Sequence, residues 1–148
     1  TVLLLGAGGA ARGALLPFIG QGPREIVIAN RTVATADKLA RDFGGYGVPV
    51  SASGFGEVAG SFDIVVNATS GSLAGEVPPV PASVFGTGTL ALDMMYGNRP
   101  TVFMEVAAGH GAAVRDGLGM LVEQAAEAFA IWRGVRPDTA EVFAQMRP

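Results

Sequence analysis

Thr1-Val2-Leu3-Leu4-Leu5-Gly6-Ala7-Gly8-Gly9-Ala10-Ala11 opens the chain. An unbroken apolar run meets a glycine-rich turn, and helix-forming alanines follow. Val2 to Leu5 reads as a strand buried on both faces. Gly6-x-Gly8-x-x-Ala11 is the dinucleotide-binding fingerprint with alanine in its third slot. Gly6 allows the tight turn out of the strand, Gly8 lets the backbone approach a pyrophosphate, and Ala11 lets the helix pack close on the sheet. Phosphates then meet a helix N-terminus, whose free N–H groups and dipole favour anions. An ordinary strand-to-helix turn in a glycine-rich chain has the same letters. A strand before the turn and a helix after it are the context that the fingerprint requires.

Outward from that turn, apolar runs alternate with helical patterns. Gly9 to about Gly20 is expected as a helix, with Pro17 kinking or shortening it. Glu25–Asn30 is a second strand. Thr32 is the expected N-cap of a helix over Val33–Phe43, stopped by Gly44-Gly45. A weak third strand is expected over Tyr46–Val50, then a Gly/Ser-rich stretch to Ser61 with a short helical turn. Phe62–Asn67 is a fourth strand and Thr89–Asp93 a fifth. The loop between them, Ala68–Pro81, is long enough to suggest a functional segment. A helix over Thr101–Ala108 and a short sixth strand over Ala112–Arg115 follow. The longest helix is expected over Leu118–Arg133, and a last one to Met146, N-capped by Asp138 with Glu141 in a capping box.

Strands alternating with helices imply an α/β fold, a doubly wound parallel sheet of Rossmann type with helices on both faces. The glycine turn after the first strand selects the strand order 3-2-1-4-5-6. Ligands then lie beyond the carboxyl ends of the strands, where Gly6–Gly9, Asn30–Thr32, Asn67–Thr69 and Asp93–Tyr96 fall together.

The 148 residues are 49% hydrophobic and 16% charged, with a formal net charge of −3. That is a globular chain, and it has no basic block for a nucleic-acid backbone. Without cysteine there is no disulfide framework, thiolate nucleophile or Cys-based metal site, and no metal site is expected. No apolar run is long enough to span a membrane and no signal peptide is evident, so a cytoplasmic location is the default expectation. The chain begins one residue before a strand, without Met, and is expected to be a piece of a longer protein.

The end of the second strand distinguishes the nicotinamide cofactors. An acidic residue there accepts from the ribose 2′-hydroxyl of NAD. Here Asn30-Arg31-Thr32 stands in its place, and Glu25 is at the far end of the strand. A guanidinium meets a phosphate bidentately and stacks on flat rings, so Arg31 favours NADP. The plain alternative is a solvated arginine at a helix start.

Gly6-Ala7-Gly8-Gly9-Ala10, Asn30-Arg31-Thr32, Asn67-Ala68-Thr69-Ser70, Asp93-Met94-Met95-Tyr96 and Asp116-Gly117-Leu118-Gly119-Met120-Leu121-Val122-x-Gln124-Ala125-Ala126 stand in an order that resembles the C-terminal NADP-binding domain of shikimate dehydrogenase. The resemblance covers nearly the whole chain. It implies reversible NADPH-dependent reduction of 3-dehydroshikimate to shikimate, in chorismate and aromatic amino acid biosynthesis. It further implies that Gly6, Ala7, Gly8, Gly9 and Ala10 hold the pyrophosphate. Asn30, Arg31, Thr32 and Thr35 would hold the 2′-phosphate, and Ala68 and Thr69 would lie by the ribose. Met94 and Gly117 would border the nicotinamide, and Tyr96 and Gln124 would reach the substrate. A phenol and a primary amide both donate and accept, as a polyhydroxy acid requires.

Read without the resemblance, Gln124 is an exposed helix residue, Tyr96 a rim residue, and Met94 and Met95 core packing. His110 is a solvated loop residue, and Asp93 a structural hydrogen-bonding group. The family's catalytic lysine and aspartate lie on a substrate-binding N-terminal domain. No residue here matches either, and the single lysine, Lys38, reads as a solvated charge. Many members carry a second basic residue where this chain has Thr35, so NADP selectivity is expected to be weaker. The chain is expected to be the cofactor half of an enzyme, residues 1–148, binding NADP(H) without catalysing alone. The helices of 117–148 would pack partly on the missing domain, and the isolated piece would self-associate through that exposed face. A quinate/shikimate relative and a non-catalytic NADP-sensing domain are the alternatives.

Overall fold

The computed structural model describes residues 1–146. Residues 147–148, the end of the stretch expected to pack on a further domain, lie outside it.

Six parallel strands form one sheet: β1 (Val2–Leu5), β2 (Ile26–Ala29), β3 (Val50–Ser53), β4 (Ile64–Asn67), β5 (Leu90–Asp93) and β6 (Ala113–Arg115), in the order β3-β2-β1-β4-β5-β6. Alternation along β1 divides the core. Val2 and Leu4 face the cluster built on Leu15, Ile19, Leu39 and Phe43. Leu3 and Leu5 face the opposite cluster with Phe62, Val84, Phe85 and Phe103. The first cluster seats α1 (Gly9–Gly20) and α2 (Val33–Phe43) on one face, and the second seats α3 (Val102–Gly109) on the other. With both faces covered, β1 has no polar position, and all four of its residues are buried. This is the Rossmann-type arrangement expected from the sequence.

Four local expectations need correction. Pro17 lies inside α1 without shortening it, and the helix runs on to Gly20. The carbonyl that Pro17 leaves unpaired is that of Gly13, four residues back, and both residues are exposed, so water can satisfy it. Thr32 occupies the N-cap position of α2, but its hydroxyl makes no cap bond; the Thr35 N–H bonds to its carbonyl instead, at 3.1 Å. The third strand is Val50–Ser53, not Tyr46–Val50, because the apolar signal of Tyr46 and Val48 belongs to the turn that returns from α2. Tyr46 there packs on Phe43. The strand itself is a half-buried sheet edge with no clear hydrophobic alternation. At the last helix, α5 (Ala140–Met146), Asp138 Oδ1 accepts from the Ala140 N–H at 2.9 Å, and among the described residues no bond from the Glu141 carboxylate to the backbone accompanies it.

The long helix α4 (Leu118–Arg133) buries Leu118, Val122 and Ala126 and leaves Phe129, Ile131 and Trp132 exposed. Arg136 clasps α4 to the segment before α5, donating to Glu123 at 2.6 Å and also to Glu127. Among the described residues no helix is long and apolar enough to cross a membrane.

Candidate functional site

The carboxyl ends of β1, β2 and β4 open into a cleft of about 620 Å³. Its wall at β1 is Gly6, Ala7, Gly8, Gly9 and Ala10; at β2, Asn30 and Arg31; at β4, Ala68, Thr69, Ser70 and Gly71. Nine residues singled out from the sequence are therefore neighbours in space.

The glycines divide their roles as the motif requires. Gly6 has φ +101°, a conformation L side chains rarely adopt, and a Cβ there would come within 3.1 Å of Thr69 Cγ2. Its N–H donates to Ala29 O at 2.7 Å, continuing the ladder past the strand end. A Cβ on Gly8 or Gly9 would meet nothing within 4 Å, so their backbone faces the open cleft. The first turn of α1 carries no acidic residue, and its N-cap, Gly8, has no side chain to satisfy the free N–H groups. Ala11, wholly buried, holds α1 against the sheet. These features fit a phosphate-bearing ligand at the turn.

Asn30 donates through Nδ2 to the Thr32 carbonyl at 2.9 Å, shaping the turn into α2. Arg31 is exposed and lines the cleft, and it has no ion-pair or hydrogen-bond partner among the described residues. No carboxylate stands at the end of β2. Thr32 and Thr35 are exposed at the start of α2 but do not line the cleft.

Beyond β4 the wall is held from behind. Asn67 Oδ1 accepts from the Thr69 N–H at 3.1 Å and the Thr69 hydroxyl at 2.7 Å, and the Asn67 amide donates to Ser72 and Asp93. Asn67 and Asp93 are completely buried. Met94 and Gly117 are brought together: the Gly117 backbone lies against Met94, and its N–H donates to Met95 O at 3.0 Å.

Tyr96 is 49% exposed and lines a neighbouring cleft of about 370 Å³ with Ser72, Arg99 and Thr101. Gln124 is exposed on α4 and lines neither cleft. The sequence reading singled out the Ala68–Pro81 loop but gave no role within it to Ser70, Gly71 or Glu76–Pro79, and it did not single out Phe55; all of these line the large cleft. The length of the loop after β4 was the available signal for all of these but Phe55, which comes from a different connection and had none.

Residues 1–74 match a family model described as shikimate / quinate 5-dehydrogenase, and residues 117–147 match the shikimate 5′-dehydrogenase C-terminal domain. A shikimate dehydrogenase (NADP(+)) of Herminiimonas arsenicoxydans is 60% identical over 147 residues, which is 99% of this chain and 54% of the relative. Among solved structures, an Ael1 enzyme from Pseudomonas putida superimposes with a TM-score of 0.88 at 53% identity, over 97% of this chain and 53% of that one. Shikimate 5-dehydrogenase from Thermus thermophilus, in complex with NADP(H) and shikimate, does so with a TM-score of 0.76 at 32% identity, over 94% and 51% of the two chains. The chain spans about half the length of the relatives it matches.

Proposed function

The chain belongs to the shikimate / quinate 5-dehydrogenase family, and from that premise we propose that it is the NADP(H)-binding domain of a shikimate dehydrogenase. The observation that carries this reading is the cleft that joins the open Gly8–Gly9 backbone to the unpaired guanidinium of Arg31. A pyrophosphate suits the first and a 2′-phosphate the second. Bound there, NADPH supplies the hydride for reduction of a carbonyl.

The chain's own residues bind and orient. Gly6 to Ala10 hold the pyrophosphate. Asn30, Arg31, Thr32 and Thr35 form the 2′-phosphate end, with Arg31 carrying the charge. Ala68 and Thr69 flank the ribose, and Met94 with Gly117 borders the nicotinamide. Tyr96, from the neighbouring cleft, and Gln124, exposed on α4, are the hydrogen-bonding groups offered to shikimate or 3-dehydroshikimate. Reduction of a ketone also needs a proton at the oxygen, and no residue of this chain matches the catalytic lysine or aspartate that the family resemblance implies. The single lysine, Lys38, is exposed on α2. We therefore assign the proton-moving residues to a substrate-binding domain outside residues 1–148. The exposed apolar groove between α4 and α5, about 290 Å³ and lined by Leu121, Phe129, Val142 and Met146, is its docking face. The isolated chain then binds cofactor, self-associates through that face, and does not turn over shikimate. The matching family model covers quinate enzymes as well, so a quinate substrate is the second reading.

The test is calorimetric titration of NADP and NAD into the chain and into Arg31→Asp. Tight NADP binding that the substitution abolishes, with NAD unchanged or improved, is the expected result. Equal NADP affinity in both proteins overturns the assignment.

A further inference from the structure

Asp93 ends β5, is completely buried, and takes no part in the binding scheme above. Its carboxylate accepts four hydrogen bonds. Oδ1 accepts from the Met95 N–H at 3.0 Å and from Asn67 Nδ2 at 3.3 Å; Oδ2 accepts from the hydroxyls of Ser72 and Thr101, each at 2.6 Å. The direction of every bond follows from the donors' other partners. Asn67 must turn Nδ2 toward Asp93, because its Oδ1 receives the Thr69 N–H. The Ser72 oxygen already accepts from Asn67, and the Thr101 oxygen from the Met104 N–H that it caps in α3, so both protons point to Asp93. Four converging donors suit a carboxylate and not its amide isostere.

Those donors belong to different parts of the site. Ser72 follows the Ser70–Gly71 wall of the large cleft and itself lines the Tyr96 cleft. Asn67 holds Thr69. Met95 opens the segment that carries Tyr96, and Thr101 closes it. We infer that Asp93 is a positioning residue that locks the cofactor-cleft wall, through Asn67 and Ser72, to the Met95–Thr101 segment bearing Tyr96, so that cofactor binding is felt on the substrate side. The inference rests on the NADP reading of the large cleft.

Amide resonances of the chain during NADP titration test both, separately. Shifts at Gly8 and Gly9 report the cofactor. The Met104 amide, which bonds Thr101 and lies outside the large cleft, reports transmission. Wild type and Thr101→Ser, which keeps the hydroxyl, should shift at all three positions. Ser72→Ala should keep the glycine shifts and lose most of the Met104 shift; Asp93→Asn should do the same, with several-fold weaker NADP binding. A purely structural Asp93 would lower melting temperature while leaving the Met104 response intact in the folded Ser72→Ala protein, and that result overturns the inference. Absence of glycine shifts in the wild type overturns the cofactor reading and the inference with it.

Discussion

Gly117 lies so close to Met94 that a Cβ at residue 117 would stand 2.0 Å from the Met94 carbonyl oxygen. The start of α4 and the end of β5 are thus backbone against backbone, and no side-chain movement relieves a methyl group placed between them. Gly117→Ala is expected to cost about 3 kcal/mol, a melting temperature lower by roughly 10 °C. Urea unfolding of the two proteins checks it; equal midpoints would contradict the contact.

Gly6 and Gly8 separate fold from function. Gly6→Ala places a side chain at φ +101° against Thr69 and should destabilise by about 2 kcal/mol. Gly8→Val has φ −86° and open space around it, so stability should stay within about 1 kcal/mol. Its isopropyl group would occupy the proposed phosphate position, and NADP affinity should fall by roughly tenfold or more. Thermal melts and calorimetry on both variants give the two readouts.

Thr35 is exposed near the start of α2 and brings no charge to the 2′-phosphate end proposed for this site. Thr35→Arg is expected to tighten NADP binding by roughly fivefold, the value of an exposed ion pair of about 1 kcal/mol, and to leave NAD binding unchanged. An equal gain for both cofactors would show that residue 35 does not meet the 2′-phosphate.

The Arg12 guanidinium hydrogen-bonds Asp42 at 2.7 Å and holds its carboxyl below the ordinary value of 3.8, against a smaller opposing effect of desolvation. A carboxyl whose folded pKa is depressed contributes stability above its unfolded pKa and loses it as pH falls through the folded value. Arg12→Ala should therefore destabilise at pH 7, and part of that difference should vanish in acid, below about pH 3.8. The remainder, from Arg12 packed over the Phe43 ring, is independent of pH. Urea melts of both proteins across that range measure the two components; a difference constant with pH would contradict the ion pair.

Much of this architecture was legible because its signals are local. β1 is an unbroken apolar run, and both faces of a covered parallel sheet demand one. The periodicity of Ala36, Leu39, Ala40 and Phe43 marks α2 because a helix buries one stripe. β3 was misplaced because an edge strand, half exposed, has neither signal; pairing with β2, Val50 opposite Ile26, decides it. Phe55 was invisible for a related reason. Only the folding of the β3–β4 connection brings it to the cleft.

By itself the sequence determined the turn at Gly6–Gly9 and the charge at Arg31, which depend on residues adjacent in the chain, and it implied the strand order through the fold that a glycine turn after the first strand selects. The tertiary structure alone decided which loop walls the cleft and how Asp93 gathers Asn67, Met95, Ser72 and Thr101. It also decided that Gly117 must be glycine. Those are relations between segments brought together by parallel crossovers, and a hydrogen bond or a steric contact across 21 or 26 residues leaves no periodic trace in the chain that makes it.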